Sequence, residues 1–79
     1  MSVIFEGAVA STKNVDNFPE GREVQVHTDA DLTVAFWFPI TKTWGGEILV
    51  EAPGQWLGVG SYLGRITGTA NVRILNTVH

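Results

Sequence analysis

His27, Asp29 and Asp31 occupy alternate positions in His27-Thr28-Asp29-Ala30-Asp31. On an extended backbone, alternate side chains point to the same side. An imidazole and two carboxylates gathered in this way form a donor set for a divalent cation. The same five residues also suit a turn, in which each aspartate accepts a hydrogen bond from a nearby backbone amide. Matches this short arise easily by chance, so the turn is the expected role and no metal site is assigned.

Nucleophilic catalysis needs a base beside a hydroxyl. The bases on offer are His27 and His79, and the hydroxyls are Ser2, Ser11 and Ser61. None of them sits in a nucleophile elbow. The run Gly58-Val59-Gly60-Ser61-Tyr62-Leu63-Gly64 lacks dinucleotide-loop spacing and precedes no helical pattern that could offer an anion-binding end. Glu47 and Glu51 fall on one strand face about 13 Å apart, too far for a glycosidase pair. Neither an enzyme nor a bound cofactor is expected.

Lys42, Arg65 and Arg73 together with Trp44, Trp56 and Tyr62 could form a basic, aromatic platform for single-stranded nucleic acid. Charge argues against it. The chain carries a net charge of −3. Residues 1–40 hold two Lys or Arg against six Asp or Glu, and residues 41–79 hold three against two. A surplus of one positive charge is small beside the six to ten phosphate contacts of a typical binder. Nucleic acid remains the least favoured partner.

The elements that must position these side chains are strands. Val, Thr, Ile, Phe, Trp and Tyr supply 31 of 79 residues, and apolar residues nowhere recur at helical spacing over a long window. Strands are expected at Val3–Ser11, Arg22–Thr28, Leu32–Ile40 and Glu47–Ala52, followed by a long tail from Gln55 to Asn76. The polar stretch Thr12–Gly21 reads as a loop tucked back by Val15 and Phe18, Asp29-Ala30-Asp31 as a hairpin turn, and Gly45-Gly46 as a second turn. Within the tail, Tyr62, Gly64, Ile66, Gly68, Ala70, Val72 and Ile74 share one face. The tail is too long for one ordinary strand, so a bend is expected near Gly64 or Gly68. Glycines of that parity leave room for an aromatic ring or another backbone to approach. The expected fold is a single all-β domain over residues 1–79, a small antiparallel five-stranded barrel or sandwich of SH3-like type with no long helix.

Zero cysteines exclude disulfide staples and thiolate metal sites. No apolar run is long enough for a spanning helix. No leading cation precedes the first apolar stretch, which Glu6 interrupts, so no signal peptide is expected and the setting is a virion or the cytoplasm.

What remains is an apolar surplus. Leu32, Val34, Phe36, Phe38 and Ile40 form one apolar row, with Val24, Val26, Ile48 and Val50 also inward. Ala35, Trp37, Leu49, Leu63 and Leu75 fall on the opposite faces. Either a second sheet covers that outer row, or it contacts a partner. The contact reading names Trp37, Trp44, Trp56, Leu49, Leu63, Leu75, Arg65 and Arg73 as interface residues, since aromatic anchors concentrate binding energy. The expected function is a non-enzymatic structural or assembly protein, such as a decoration, cement or connector subunit of a virion or phage particle, forming a homo-oligomer or joining other structural subunits. The alternative is a small inhibitor or adaptor that blocks a host macromolecule through the same surface.

Overall fold

A computed structural model of the chain describes residues 2–76. The described residues form seven strands and no helix: β1 (Ser2–Val15), β2 (Glu23–Thr28), β3 (Leu32–Phe38), β4 (Thr43–Trp44), β5 (Ile48–Val50), β6 (Gly54–Gly58) and β7 (Gly64–Asn76). All pairings are antiparallel, and the sheet curls into a half-barrel. The all-β antiparallel class expected from the sequence is therefore present, whereas the SH3-like form is not established by this strand order.

β7 is the spine. Along one edge it pairs with β1 from end to end, from Ser2↔Asn76 to Val15↔Gly64. Along the other edge it pairs first with β2, from Gln25↔Leu75 to Thr28↔Val72, and then with β3, from Thr33↔Thr67 to Phe36↔Gly64. β2 and β3 follow one register and lie end to end on that edge. Asp29-Ala30-Asp31 is thus a corner between collinear strands, not the hairpin turn the local residues suggest.

The three strand lines bend at one level. Gly68 has φ of 147°, its partner Ser11 has φ of 87°, and a Cβ on Gly68 would lie 3.0 Å from Leu32 Cβ. The bend anticipated near Gly64 or Gly68 falls at Gly68, where the missing side chain lets a neighbouring strand come close. The inward row of β7 lines the core with Ile66, Ala70, Val72 and Ile74, against Val9, Val24, Val26, Leu32, Val34, Val50 and Leu57. Val15 and Phe18 are buried, as expected, although Val15 is the last residue of β1 and only Phe18 lies in a loop.

Several boundaries move. β1 continues to Val15, because β7 supplies ladder partners for the polar residues Thr12 to Asn14 that local composition assigns to a loop. A bulge between Val3 and Phe5 shifts the alternation, leaving Val3 about half exposed while Ile4 packs against the core. The tail divides into β6 and β7, separated by the glycine-bearing segment 59–63. β5 is only three residues long; Ile48 and Val50 share the inward face, Ile48 opposite buried Val34, but at the start of the strand Ile48 stays 38% exposed while Val50 is buried.

No backbone ladder joins β5 to β6 among the described residues. The Gln55 side chain spans the gap: Nε2 donates to the Leu49 carbonyl at 3.0 Å, and Oε1 accepts from the Glu51 amide at 3.3 Å. This side of the half-barrel is drawn together by one amide side chain, while β1 leaves the other side open.

Candidate protein-contact surface

The end of β3 carries apolar side chains on both faces. On the convex face, Trp37 pairs across the ladder with Trp44 of β4, and their rings meet edge to face at 5.3 Å. The Arg65 guanidinium lies 4.3 Å from the Trp44 ring centroid. The Trp37 amide donates to the Leu63 carbonyl at 2.9 Å, which brings Leu63 alongside. Trp37, Trp44, Leu63 and Arg65 are all half-buried and form one cluster. Leu49 stands opposite Thr33 on the same convex face, 53% exposed, at the margin of the group.

On the other face of the same strand end, the Phe38 ring lies between two glycines. A Cβ on Gly45 would come 2.6 Å from that ring, and one on Gly60 would come 3.4 Å from it. The close aromatic approach expected of the glycine face is met at Gly64, whose missing Cβ admits the Phe18 and Phe36 rings, whereas Gly58 has open space around it. Pro39 closes the strand, and Ile40 beyond it is 96% exposed. Glu20, Phe38, Pro39, Ile40, Thr41, Gly60 and Ser61 line an open cup of about 450 Å³. Tyr62, also exposed, follows Ser61.

Phe38, in the last ladder pair, keeps the side of Leu32, Val34 and Phe36 but stays 38% exposed, whereas Ile40 lies beyond that pair and is not held over the core. The strand ends where the sequence predicts, since Pro39 removes a ladder donor immediately before Ile40.

The remaining candidates lie elsewhere. Trp56 on β6 faces Gln25, which faces Leu75, which faces Val3, so these four make a separate row at the far end of the sheet. Trp56 is 53% exposed, whereas Leu75 is buried by its neighbours, as is Ala35 in the β3 row. Arg73 pairs with Glu6 directly across the ladder, Nε to Oε2 at 3.1 Å, with both side chains mostly in water. The eight candidates thus divide into a cluster of four around Trp37, Leu49 further along the same face, and a distant group of Trp56, Leu75 and Arg73. Arg65 and Arg73 stand eight residues apart on β7 with the Gly68 bend between them, so Arg73 does not converge with the Arg65–Trp44 pair on one groove.

The carboxylates beside His27 are committed to the corner. Asp29 accepts from the Asn71 amide at 2.8 Å and from Asn71 Nδ2 at 2.9 Å, while Asp31 Oδ1 accepts from the Ala52 amide at 2.8 Å. Their partners are backbone amides, as the turn reading holds, but amides 42 and 21 residues away rather than local ones. The Asn71 amide, and after it the Asn71 side chain, hold the Asp29 carboxyl below the usual carboxylate range. No group of three His, Asp or Glu side chains among the described residues is arranged to hold a metal ion.

Of the serines considered as nucleophiles, Ser61 is buried, and its Oγ has no hydrogen-bond partner. Ser2 and Ser11 lie exposed on β1, and His27 is on β2. His79 lies outside the described residues. No helix among the described residues is long and apolar enough to cross a membrane. Compared with known proteins, the chain matches no family model, no curated protein and no solved structure.

Proposed function

We propose that this protein is a non-enzymatic assembly subunit that works by protein contact, using the end of β3 as its contact surface. The observation that carries the reading is Ile40, left 96% exposed where it lines an open apolar cup with Phe38. The Trp37–Trp44–Arg65 cluster on the reverse side of the same strand end extends the surface. Scattered exposed apolar residues are ordinary, whereas a contiguous group marks a partner surface. Aromatic and arginine side chains are the types that anchor such surfaces. The proposal concerns the mode of action rather than the particle in which the subunit works.

Burying one isoleucine side chain stabilises a complex by about 1.5–3 kcal/mol, roughly tenfold to a hundredfold in Kd. Sedimentation velocity across a concentration series, alone and with candidate structural neighbours, tests the reading. Ile40→Asp is expected to weaken association by that factor while leaving the melting temperature unchanged, because Ile40 packs on almost nothing in the free chain. A chain whose every association is indifferent to Ile40→Asp and Trp37→Ala overturns it. An inhibitor would instead stay monomeric alone and form a complex of fixed stoichiometry with one foreign protein.

A further inference from the structure

β1 is 14 residues long and is hydrogen-bonded to β7 alone. In an antiparallel ladder, alternate residues direct their N–H and C=O groups to opposite edges. Half the backbone groups of β1 therefore face outward along an edge that no other described strand covers. Long free edges are the usual site of unwanted pairing, and proteins blunt them with bulges, distorted backbone and charge.

In β1 the bulge lies between Val3 and Phe5, positive φ occurs at Gly7 (154°) and Ser11 (87°), and Lys13 follows. Between the bulge and Ser11 runs Phe5-Glu6-Gly7-Ala8-Val9-Ala10, with no proline and a single charge. That charge is already engaged, because Glu6 pairs with Arg73 across its own ladder. Despite the positive φ at Gly7, the ladder with β7 runs through this segment without a register shift, so a nearly neutral edge segment is left open in the middle.

We infer that a second copy of this chain covers it, through antiparallel pairing of the two β1 strands about a two-fold axis at Gly7 or Ala8. Three observations select this occupant. The remaining strands with a free edge are two, three and five residues long, so within this chain only another β1 matches the length of β1. A two-fold contact uses the same patch on both copies and closes, whereas β1 against a different edge would propagate into open fibres. An axis at Gly7 or Ala8 also keeps the convex faces of both copies on one side, extending the sheet without exposing the core, as the two-residue side-chain period requires. The inference does not rest on the β3 surface, which lies at another part of the molecule.

The test uses the full chain carrying Ile40→Asp, so that association through the β3 end is suppressed. Light scattering is expected to give a dimer of twice the 8.6 kDa chain mass. Amide hydrogen exchange should then show protection at consecutive residues from Glu6 to Ala10, since both edges of β1 are paired. Ala8→Glu is the matching variant. Ala8 is exposed, and the new carboxylate would oppose Glu6 of the other copy if the axis lies at Gly7, or its own counterpart if the axis lies at Ala8. Dimerisation is expected to weaken about tenfold, with protection falling to alternate residues. A monomer at all concentrations, or a dimer in which alternate amides of Phe5–Ala10 exchange freely, overturns the inference. Failure of the β3 proposal would appear separately, as insensitivity of association to Ile40→Asp in the chain with Ala8→Glu.

Discussion

The guanidinium of Arg65 lies 4.3 Å from the ring centroid of Trp44, although 20 residues of chain separate them and they sit on different strands. β3 lies between β4 and β7, so the contact crosses an intervening strand and ties the two-residue β4 to the spine of the sheet. Its ladder holds β4 only at Trp37↔Trp44 and Phe38↔Thr43. The stacked pair therefore carries much of what orders Trp44 in the contact surface.

A cation over an indole at a partly exposed site is worth about 0.5–1 kcal/mol. A double-mutant cycle with Arg65→Ala and Trp44→Leu, read by urea denaturation, is expected to return a coupling energy of that size. Lys at position 65 should recover only part of it, since a compact ammonium lacks the planar stacking of the guanidinium. Additive single effects would mean that the two side chains are neighbours without being partners.

Acid should weaken the corner between β2 and β3. The Asp29 carboxyl is held below its usual range first by the Asn71 amide and then by the Asn71 side chain. The folded pKa lies below the unfolded one, so the stabilising contribution is present above the unfolded value of about 3.9 and is lost as pH falls through the folded value. Melting temperatures of the wild type and Asp29→Asn are expected to converge as pH drops from 6 toward 2. Parallel curves would show that the carboxylate charge contributes nothing to folding.

Gly64→Ala should be costly for a reason outside the local backbone. A Cβ at Gly64 would lie 2.7 Å from Phe18 Cε2 and 3.3 Å from Phe36 Cδ1. Those rings are buried and packed edge to face at 5.3 Å, so neither can withdraw easily. Overpacking of this kind costs about 1–3 kcal/mol, and each kcal/mol lowers the melting temperature of a domain this size by roughly 4–8 °C. Gly46→Ala, where nothing lies within 4 Å, is the control and should melt with the wild type. Equal melting of both variants would refute the packing account of Gly64.

The residues that could be placed from the sequence are those whose environment is set by alternation alone. Ile66, Ala70, Val72 and Ile74 follow a period of two and all face the core. The glycine at the bend and the buried Val15 and Phe18 are legible for a similar reason, since each is an exception to its surroundings. The collinearity of β2 and β3 is not legible locally. It depends on β7, whose Asn71 supplies the partner for Asp29 from 42 positions away. Thr12 to Asn14 carry loop composition yet form strand, because the ladder with β7 outweighs propensity. In the candidate site, Trp37, Trp44, Leu63 and Arg65 were identified by type and meet in space, while Trp56, Leu75 and Arg73 share only their types. The apolar row continues through Phe38 to Ile40, and only Pro39 marks where ladder pairing stops, between the two.

Ser61 should be improvable. Its hydroxyl is buried without a hydrogen-bond partner, in a segment that supplies backbone partners on either side: Tyr62 accepts from the Phe18 amide at 3.1 Å, and Val59 donates to the Arg22 carbonyl at 2.8 Å. Burying an unpaired hydroxyl typically costs on the order of 1–3 kcal/mol by mutational measures. Ala keeps the backbone and Cβ in place while removing that polar atom, at the expense of a void about one oxygen in size. Ser61→Ala is therefore expected to raise stability by up to about 1 kcal/mol in urea denaturation. A loss of 1 kcal/mol or more would instead mean that the hydroxyl is hydrogen-bonded in solution, by a water or by a rotamer that reaches a carbonyl in the wall of the cup.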